Sequence, residues 1–542
     1  MTGLLKLDDD AALDAGVVGV KAAHLAHARA AGLPTLPGLI VPEAAGRPAV
    51  RAGRAALEAR GLGAARGAVT GHEISADLLA ALSRTAELGD KLAVRSSSRL
   101  DDSGALAGAL ASYLEVRPGE LATAVRGCWA SVFAPQLVAR LDNLGIAIDD
   151  VGPAVLIQPH VNPEAGGWAR LAGDCVEIAV VAGSPAPLLA GRHPGQRVTV
   201  TADGSVVGGP PDDNLDPAVL ALVADLARRA GREVRGATRM EWAIVDGSPV
   251  VLQLSKIVEH HGPGRRPTGD FSGRAYDRLA RAVTLRRGRL ADGFLAPWAA
   301  AFDGLPPASV VEAEDGSATL FERAARVAVE LRRAIGAAAQ VPPEEIAGRL
   351  ARGDPKLANG LADVDVDAGI AAWLLGALET TAQGLVHTGW LRTPDELWRY
   401  SADSIMAALG GHHLAQPARW LGDRWDDMLF AVAATRGEMK TGVPASAGRA
   451  AGRAIVVRGP DDAAAMRDGD VMVATWAIPN LSPLLWRVSA LVTVGGSPAA
   501  HLCEVARALH VPAVVAAGVT SQGDGAMLAV DGETGEVWQW SG

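Results

Sequence analysis

The sequence predicts a multidomain α/β protein, and two observations support that prediction. Its 542 residues exceed the usual size of one domain and indicate about three or four domains. Short apolar strands bounded by glycine and proline recur at both ends of the chain, whereas residues 270–439 have mostly helical spacing. We therefore expect an N-terminal domain over residues 1–260, a mainly α-helical middle domain over 261–440 and a C-terminal α/β domain over 441–542.

Composition narrows the class of partner. The formal charge is 51 minus 61, or −10, and no basic stripe is dense enough to indicate nucleic-acid binding. The N-terminus turns acidic within its first ten residues and no apolar run reaches about 18 residues, so we expect neither a signal peptide nor a membrane span. Cys128, Cys175 and Cys503 lie far apart, which disfavours a disulfide framework or a zinc site. These observations leave a small-molecule or a protein partner, and we expect a cytosolic protein.

The first motif is a glycine-bounded turn that carries Lys21. The turn feeds a short helix that is expected to stop at Gly32, before Pro34, and an apolar strand follows. A lysine just inside a glycine-rich turn can reach a phosphate, although the Walker spacing is absent. A surface lysine with a structural role is the alternative.

Residues 91–116 predict two strands joined by a polar run and a small-residue turn. The first strand is expected to end at Arg95, directly before three serines. A guanidinium there can pair with two oxygens of a phosphate. The alternative is an edge arginine held in a salt bridge.

Residues 155–161 read VLIQPHV and predict a nearly continuous apolar strand. Gln158 interrupts the strand. Its amide can read a nucleotide base if it points into a cleft.

Residues 239–257 predict a hairpin that turns around Asp246 and Gly247. Glu241 on one strand and Gln253 on the other can face the same side. A carboxylate and an amide in that arrangement suit a hard cation such as Mg²⁺ that bridges phosphates. A surface ladder pair is the alternative.

Residues 259–268 are rich in proline, glycine and charge and predict a linker. In the helical region that follows, helices are expected over residues 320–337, 370–385 and 394–409. Aromatic and histidine side chains also gather there. They can line a pocket for a ring-bearing substrate or pack helices together. These residues are His387, Trp390, Trp398, Tyr400, His412, His413, Trp420 and Trp425.

Residues 492–515 predict a buried strand, a glycine turn and an amphipathic helix whose first turn carries His501. A neutral imidazole is a nucleophile, and once it is phosphorylated the positive end of the helix dipole stabilises the phosphoryl group. From periodicity alone, a surface histidine is the alternative.

Two separate segments resemble the phosphoenolpyruvate synthase and pyruvate phosphate dikinase family. The order H-x-x-x-V-A-R-x-L-x-x-P-A-V-V from His501 is similar to its phosphohistidine domain. The order K-A-A-H-L, V-R-S-S, I-Q-P-H-V, E-W-A and V-L-Q is similar to its N-terminal ATP-grasp nucleotide-binding domain. The resemblance implies that His501 is the catalytic phosphohistidine and that Glu241 and Gln253 hold Mg²⁺. The implied ATP contacts are Lys21, Arg95, Gln158, Glu241, Gln253 and Lys256.

The chain departs from the family pattern at a few positions. Arg239 stands where the family has an acidic residue, Glu504 where it has an aliphatic one, and Ala500 where it has a small polar one. The arginine of the family's Q-x-R-P end is replaced by Ser255, and Lys256 can supply the lost phosphate contact. Glu504 lies one helical turn from His501 and can either orient the imidazole or repel a phosphate.

The domain order is similar to that of the rifampin phosphotransferases, and no pyruvate-binding barrel is expected after the histidine domain. This implies that ATP and Mg²⁺ bind the N-terminal domain, that His501 takes the β-phosphate, and that residues 441–452 form a hinge. The acceptor is then the hydroxyl of a small molecule, with a ring-bearing molecule as one option, and neither a nucleic-acid nor a membrane partner is expected. Two alternatives are a ligase that activates a carbonyl or carboxyl by phosphorylation, and a degenerate nucleotide-binding homologue.

Overall fold

The computed structural model describes residues 3–104, 106–208, 216–256, 269–272, 274–285, 294, 305–364, 366–412, 414, 425–519 and 525–541. The chain divides into two compact units. The first contains residues 1–259, 476–483 and 495–509, and the second contains 260–475, 484–494 and 510–542. The segment that carries His501 thus belongs to the first unit. The expected linker at 259–268, together with His413 and Trp420, lies outside the described residues.

The first unit is built on two antiparallel sheets. A five-stranded sheet has the order β1-β2-β5-β3-β4, and a six-stranded sheet has the order β11-β10-β6-β7-β8-β9. The strands are β1 (Leu5–Lys6), β2 (Leu39–Val41), β3 (Leu92–Ser97), β4 (Ser112–Val116), β5 (Ala154–Pro159), β6 (Ala165–Ala172), β7 (Cys175–Ala182), β8 (Gln196–Val200), β9 (Val206–Gly208), β10 (Arg239–Val245) and β11 (Ser248–Ser255).

Helices cover these sheets. Helices α2, α3 and α5 pack on the five-stranded sheet through Val50, Val69 and Trp129, while α1 and α8 pack on the six-stranded sheet through Leu25 and Val223. The helices up to residue 233 are α1 (Ala15–Ala30), α2 (Glu43–Arg60), α3 (Leu62–Thr70), α4 (Ala76–Ser83), α5 (Leu121–Ala130), α6 (Pro135–Leu144), α7 (Ala186–Leu189) and α8 (Pro217–Glu233).

Helix α1 is broken at Gly19, which sets the position of Lys21. Gly19 has a φ of 74°, and a Cβ there would lie 2.3 Å from the backbone of Ser97. Only glycine tolerates both the left-handed backbone and this close approach. The backbone N–H of Ala22 then donates to Ser97 Oγ at 3.1 Å. Lys21 therefore lies beside the end of β3.

The β10–β11 hairpin fixes the pairing of Glu241. Asp246 and Gly247 at its turn have φ values of 50° and 71°, the conformation that matches the right-handed twist of a two-residue hairpin. Glu241 pairs directly with Gln253 across the strands, next to a bulge between Glu241 and Trp242. The predicted hairpin and this pairing are confirmed.

The second unit contains a mixed sheet of order β12-β19-β18-β14-β15-β16-β17-β13, in which β14 to β17 run parallel. Its strands are β12 (Glu438–Thr441), β13 (Val443–Ser446), β14 (Arg449–Val457), β15 (Val471–Ala474), β16 (Ala490–Thr493), β17 (Ala513–Val515), β18 (Met527–Asp531) and β19 (Glu536–Trp540). Val471, Val492 and Val514 form part of the core of this sheet.

Helices precede this sheet in the second unit. Trp398, Tyr400 and Trp425 are buried in their shared core, as the packing alternative expects. No described helix is long and apolar enough to cross a bilayer. The helices are α9 (Arg274–Leu285), α10 (Ser317–Ala339), α11 (Ile346–Ala351), α12 (Pro355–Ala362), α13 (Ala368–His387), α14 (Ala402–Leu409) and α15 (Asp426–Arg436). The chain as a whole is multidomain and α/β.

Two local predictions are wrong. Strand β3 continues two residues past Arg95 to Ser97, because Ser96 and Ser97 pair with β5 through Val155 and Ala154. Residues 394–409 do not form one helix, since a 3-10 turn ends at Arg399 and α14 begins at Ala402. Ser401 caps α14 by accepting from the backbone N–H of Ser404, which starts the new helix there.

Candidate functional site

One cleft of the first unit collects three of the predicted ATP contacts. Arg95 on β3, Gln158 on β5 and Glu241 on β10 all line it. The cleft is open to solvent and has a cavity volume of about 70 Å³, which is smaller than the usual small-molecule site. Its other lining residues are Leu36, Ala93, Leu114, Pro159, His160, Val161, Pro163, Ser184, Pro185, Ala186, Leu189 and Leu252.

Arg95 is the cation of this cleft. Its buried Nε has no hydrogen-bond partner among the described residues. Burial lowers the pKa of Arg95, and the charge of Glu241 partly offsets that effect. An arginine stays protonated even so, so the cleft contains a desolvated positive charge that an anion would neutralise.

One end of the Gln158 side-chain amide is already hydrogen-bonded within the protein. Its side chain is 97% buried, and Nε2 donates to the backbone carbonyl of Leu36 at 3.3 Å. This bond fixes the amide at the cleft wall. The side-chain oxygen of Gln158 then remains able to accept a hydrogen bond from a ligand.

Glu241 and Gln253 are cross-strand partners, but only Glu241 lines the cleft. Glu241 Oε1 lies 3.5 Å from Nη2 of Arg239. The described residues contain no cluster of three or more histidine, cysteine or carboxylate side chains placed to hold a metal. A carboxylate with an amide beside it still suits Mg²⁺, because this ion is usually held by one or two protein oxygens together with phosphates.

The two predicted lysines lie outside the cleft lining. Lys21 Nζ forms an ion pair with Asp101 Oδ1 at 3.1 Å. Lys256 directly follows β11 and is exposed, and its backbone hydrogen-bonds to Asp102. The structure therefore brings Lys21 and Lys256 near the adjacent carboxylates Asp101 and Asp102.

His501 is the first residue of helix α16 (His501–Ala508). The N-cap residue is Ala500, which has no side chain that can cap the helix. His501 keeps 27% of its side chain exposed, while a Cβ on Gly108 would lie only 2.9 Å from its Cβ and Cγ. The imidazole therefore packs directly against the glycine turn that follows β3.

The surroundings keep this imidazole neutral. Burial lowers the pKa of His501 to about 3, and the charges of Arg239, Lys21 and Arg140 act in the same direction. At neutral pH one ring nitrogen therefore carries a lone pair. That is the state in which histidine is a nucleophile.

Glu504 joins His501 to Arg239. Its Oε2 lies 3.1 Å from Nδ1 of His501, and its Oε1 forms an ion pair with Nη1 of Arg239. Arg239 also donates from Nη2 to the backbone carbonyl of Ala499 at 3.0 Å. The Arg239 side chain is 2% exposed and that of Glu504 is 16% exposed, so the pair is largely withdrawn from water.

Other contacts hold the histidine segment against the N-terminal part of the same unit. Arg140 on α6 is fully buried; it bonds Ser482 Oγ, and its Nη1 donates to the carbonyl of Ala107 at 2.9 Å. Trp168 on β6 donates from Nε1 to Ser497 Oγ at 3.3 Å. These contacts tie both parts of the segment, 476–483 and 495–509, to the unit that contains the cleft.

Sequence reasoning missed Arg140, Trp168 and Gly108. Arg140 lies on an amphipathic helix and Trp168 in an apolar strand, where each residue has an ordinary structural explanation. Gly108 was one of two small residues in a predicted turn. None of them carries a local signal, because their partners lie hundreds of positions away in the sequence.

Comparisons with known proteins match two regions of the chain. Residues 63–180 match the AMP/ATP-binding domain of pyruvate phosphate dikinase, and residues 466–535 match the mobile domain of PEP-utilising enzymes. The first match includes Arg95 and Gln158, and the second includes His501 and Glu504.

Individual relatives share a shorter stretch. A probable phosphoenolpyruvate synthase of Archaeoglobus fulgidus is 36% identical over 100 residues, 18% of this chain and 13% of the relative. The phosphoenolpyruvate synthase of Aeropyrum pernix is 42% identical over 100 residues, 18% of this chain and 12% of the relative. The matched stretch thus spans about an eighth of the length of these relatives.

A solved structure is also similar in part. The dinucleotide-forming acetyl-coenzyme A synthetase 1 of Ca. Korarchaeum cryptofilum is 14% identical, with 32% of this chain and 79% of that chain covered at a TM-score of 0.20. A TM-score this low carries no argument about the fold.

Proposed function

We propose, on the premise that this chain belongs to the phosphoenolpyruvate synthase and pyruvate phosphate dikinase family, that it is an ATP-dependent phosphotransferase. In this proposal the β-phosphate of ATP moves through His501 to the hydroxyl of a small-molecule acceptor. AMP and inorganic phosphate are the other products. The reaction needs a carrier group because its two halves take place at separate sites.

One observation carries the proposal. His501 lies in the same compact unit as the cleft lined by Arg95, Gln158 and Glu241. A connected set of contacts leads from Glu241 through Arg239 and Glu504 to the imidazole. A nucleophilic histidine that is connected by contacts to a cleft with an arginine supports the first half-reaction.

The residues of the cleft have distinct proposed roles. The guanidinium of Arg95 pairs with phosphate oxygens, and Gln158 contacts the base. Lys21 and Lys256, which lie outside the cleft lining, are proposed to contact the phosphates. Glu241, with Gln253 across the hairpin, would hold Mg²⁺. When bound, that ion neutralises charge on the phosphates.

The first transfer step forms one bond at the β-phosphorus of ATP and breaks another. The lone pair of an imidazole nitrogen of His501 forms a bond to the β-phosphorus, and the bond from that phosphorus to the oxygen bridging to the α-phosphate breaks. AMP leaves with that oxygen, and the γ-phosphate leaves as inorganic phosphate after attack by water. The acceptor hydroxyl later takes the phosphoryl group and restores the free imidazole.

The domain assignment belongs to the same proposal. Residues 1–260 form an ATP-grasp nucleotide-binding domain, 261–440 a mainly helical acceptor domain, and 441–542 a swivelling phosphohistidine domain that moves on the segment 441–452. A small acceptor, with a ring-bearing molecule as one option, is proposed to bind the middle region. Neither nucleic acid nor a membrane is part of the proposed reaction.

Labelling tests this function directly. The full chain is incubated with Mg²⁺ and ATP labelled at the β-phosphate, digested at alkaline pH and analysed by mass spectrometry for the peptide that contains His501. We expect label on this peptide in the wild type and in the control variant His27→Ala, which removes an exposed histidine of α1. His501→Ala should carry no label and retain its affinity for ATP. Label found only in free nucleotides would overturn the proposal.

A further inference from the structure

Glu504 contacts the imidazole of His501 directly. It lies three residues after the histidine on α16, so both side chains leave the same face of the helix. One carboxylate oxygen faces Nδ1 at 3.1 Å and the other faces Arg239. Each oxygen of the carboxylate thus has its own partner.

We propose that Glu504 is the positioning residue of His501, which holds the imidazole with its proton on Nδ1 and leaves Nε2 free as the nucleophile, and that Arg239 fixes Glu504 for this task. The inference rests on the proposed function, because it assigns the nitrogen that receives the phosphoryl group. It goes further in naming two residues that control the nucleophile without touching ATP.

The chemistry of the three groups determines the tautomer. A carboxylate that is ionised only accepts hydrogen bonds, so the nitrogen facing it must be the one that carries the proton. The neighbouring guanidinium favours the ionised form of Glu504. A neutral imidazole has a single N–H, so a proton on Nδ1 means a lone pair on Nε2.

Charge supports the same assignment during transfer. When Nε2 bonds to phosphorus while Nδ1 keeps its proton, the ring gains positive charge. A carboxylate at Nδ1 stabilises that charge, as the buried aspartate does for the histidine of serine proteases. With Lys21, Arg140 and Arg239 all lowering the proton affinity of the ring, Glu504 is the one anionic side chain in contact with it among the described residues.

Arg239 is fixed from several directions. Besides Glu504 it bonds the carbonyl of Ala499 at 3.0 Å and lies 3.5 Å from Glu241. Arg239 is therefore held by a carboxylate of the cleft, by the residue before the N-cap of α16 and by Glu504. A guanidinium with three partners cannot reorient freely, so it sets the position of the carboxylate that contacts the imidazole.

The tautomer can be observed without ATP. Long-range proton–nitrogen NMR spectra of the full chain labelled with ¹⁵N-histidine distinguish a protonated ring nitrogen from an unprotonated one, and the His501→Gln variant assigns the signals. We expect Nδ1 of His501 to be protonated and Nε2 unprotonated at pH 7. An Nε2-protonated ring in the wild type would overturn the inference by itself.

Two substitutions separate positioning from mere packing. Glu504→Gln keeps an oxygen that can accept from Nδ1–H, whereas Glu504→Ala removes it. We expect the rate of β-phosphate transfer to His501 to fall about 10-fold in Glu504→Gln and about 100-fold in Glu504→Ala. The Nδ1–H signal should persist in the first variant and diminish in the second, and the control Glu58→Ala, at an exposed ion pair of α2, should match the wild type.

The outcomes of the two tests are distinguishable. An unchanged tautomer and an unchanged transfer rate in Glu504→Ala would overturn the positioning role while the phosphotransferase proposal stands. An Nδ1-protonated ring in a chain that never takes label on His501 would support the positioning role and overturn the phosphotransferase proposal.

Discussion

Two arginines of the first unit, the half-buried Arg95 and the buried Arg239, make a direct comparison. Arg95 on β3 and Arg239 on β10 both have a pKa that burial lowers, to about 10 for Arg239. Arg239 is engaged through Nη1 and Nη2 by Glu504, Ala499 and Glu241, whereas no side-chain hydrogen bond or ion pair holds Arg95 among the described residues. The Nε of each arginine has no partner there. One guanidinium thus holds the protein's own structure, and we propose that the other is available to a ligand.

The largest effect is expected from removing the engaged arginine. Arg239→Met leaves the carboxylate of Glu504 without its cation in a largely buried position, and we expect the free energy of unfolding to fall by about 3 kcal/mol. Denaturation followed by tryptophan fluorescence measures this. The control Arg170→Met removes the cross-strand neighbour of Arg239, whose pair with Glu177 is more exposed, and should cost less than about 1 kcal/mol. Equal losses of unfolding free energy in the two variants would contradict a special structural role for Arg239.

The next effect concerns the unengaged arginine and appears in binding rather than in folding. Arg95→Met should weaken ATP binding about 30-fold, or about 2 kcal/mol, because it removes the cation that pairs with phosphate. The free energy of unfolding should not fall, since the variant also removes a desolvated charge. Titration calorimetry with ATP and Mg²⁺ tests this against Arg99→Met, an exposed arginine four residues later. An unchanged affinity would show that Arg95 is structural.

Titration with acid should show which of the two arginines, Arg95 or Arg239, lowers the pKa of His501. The pKa of His501 is lowered to about 3, below the roughly 6.5 of an unfolded histidine. Between these values the unfolded chain binds more protons, so stability rises with pH in this window and is lost as pH falls from about 6.5 towards 3, by at most about 1.4 kcal/mol per pH unit.

Arg239→Met should raise the pKa of His501 and narrow that window, because Arg239 is the leading charge among those that lower it. Arg95→Met should leave the titration unchanged, since Arg95 is not among those charges. Histidine NMR signals followed from pH 7 downwards test both statements. A shift caused by Arg95→Met would contradict the separation of the two arginines.

The smallest effect is expected at an exposed charge pair beside β3. Lys91 Nζ lies 2.6 Å from Glu115, and both side chains are more than half exposed. Although this contact lowers the pKa of Glu115, water screens such pairs strongly. Lys91→Met should therefore leave the melting temperature unchanged within measurement error. A clear loss would mean that exposure is a poor guide to the strength of ion pairs in this unit.

Local pattern predicted much of the fold. The hairpin of β10 and β11, the pairing of Glu241 with Gln253 and the short strands of the C-terminal region all follow from periodicity and turn residues. The error at β3 arises because a neighbouring strand determines where it ends. Strand β3 extends past Arg95 because β5 offers further pairing, a fact that the sequence of β3 does not contain.

The candidate site was predictable in its parts and not in its assembly. His501, Arg95, Gln158 and Glu241 stand out by residue type and local setting, and the roles assigned to them stay predictions. Arg239 and Glu504 each stood out only as a departure from a family pattern. Their ion pair joins positions separated by 265 residues (504 minus 239). Only the folded chain therefore reveals that the two departures are oppositely charged partners.

The composition of the first unit has a consequence for how the protein can be divided. Trp168, Leu188 and Ala179 pack against Ala499, and Arg239 is paired with Glu504. A fragment that ends near residue 256 would expose this apolar patch and leave Arg239 without Glu504, its ion-pair partner. We therefore expect residues 1–256 to be less stable alone than together with residues 476–483 and 495–509, which belong to the same compact unit.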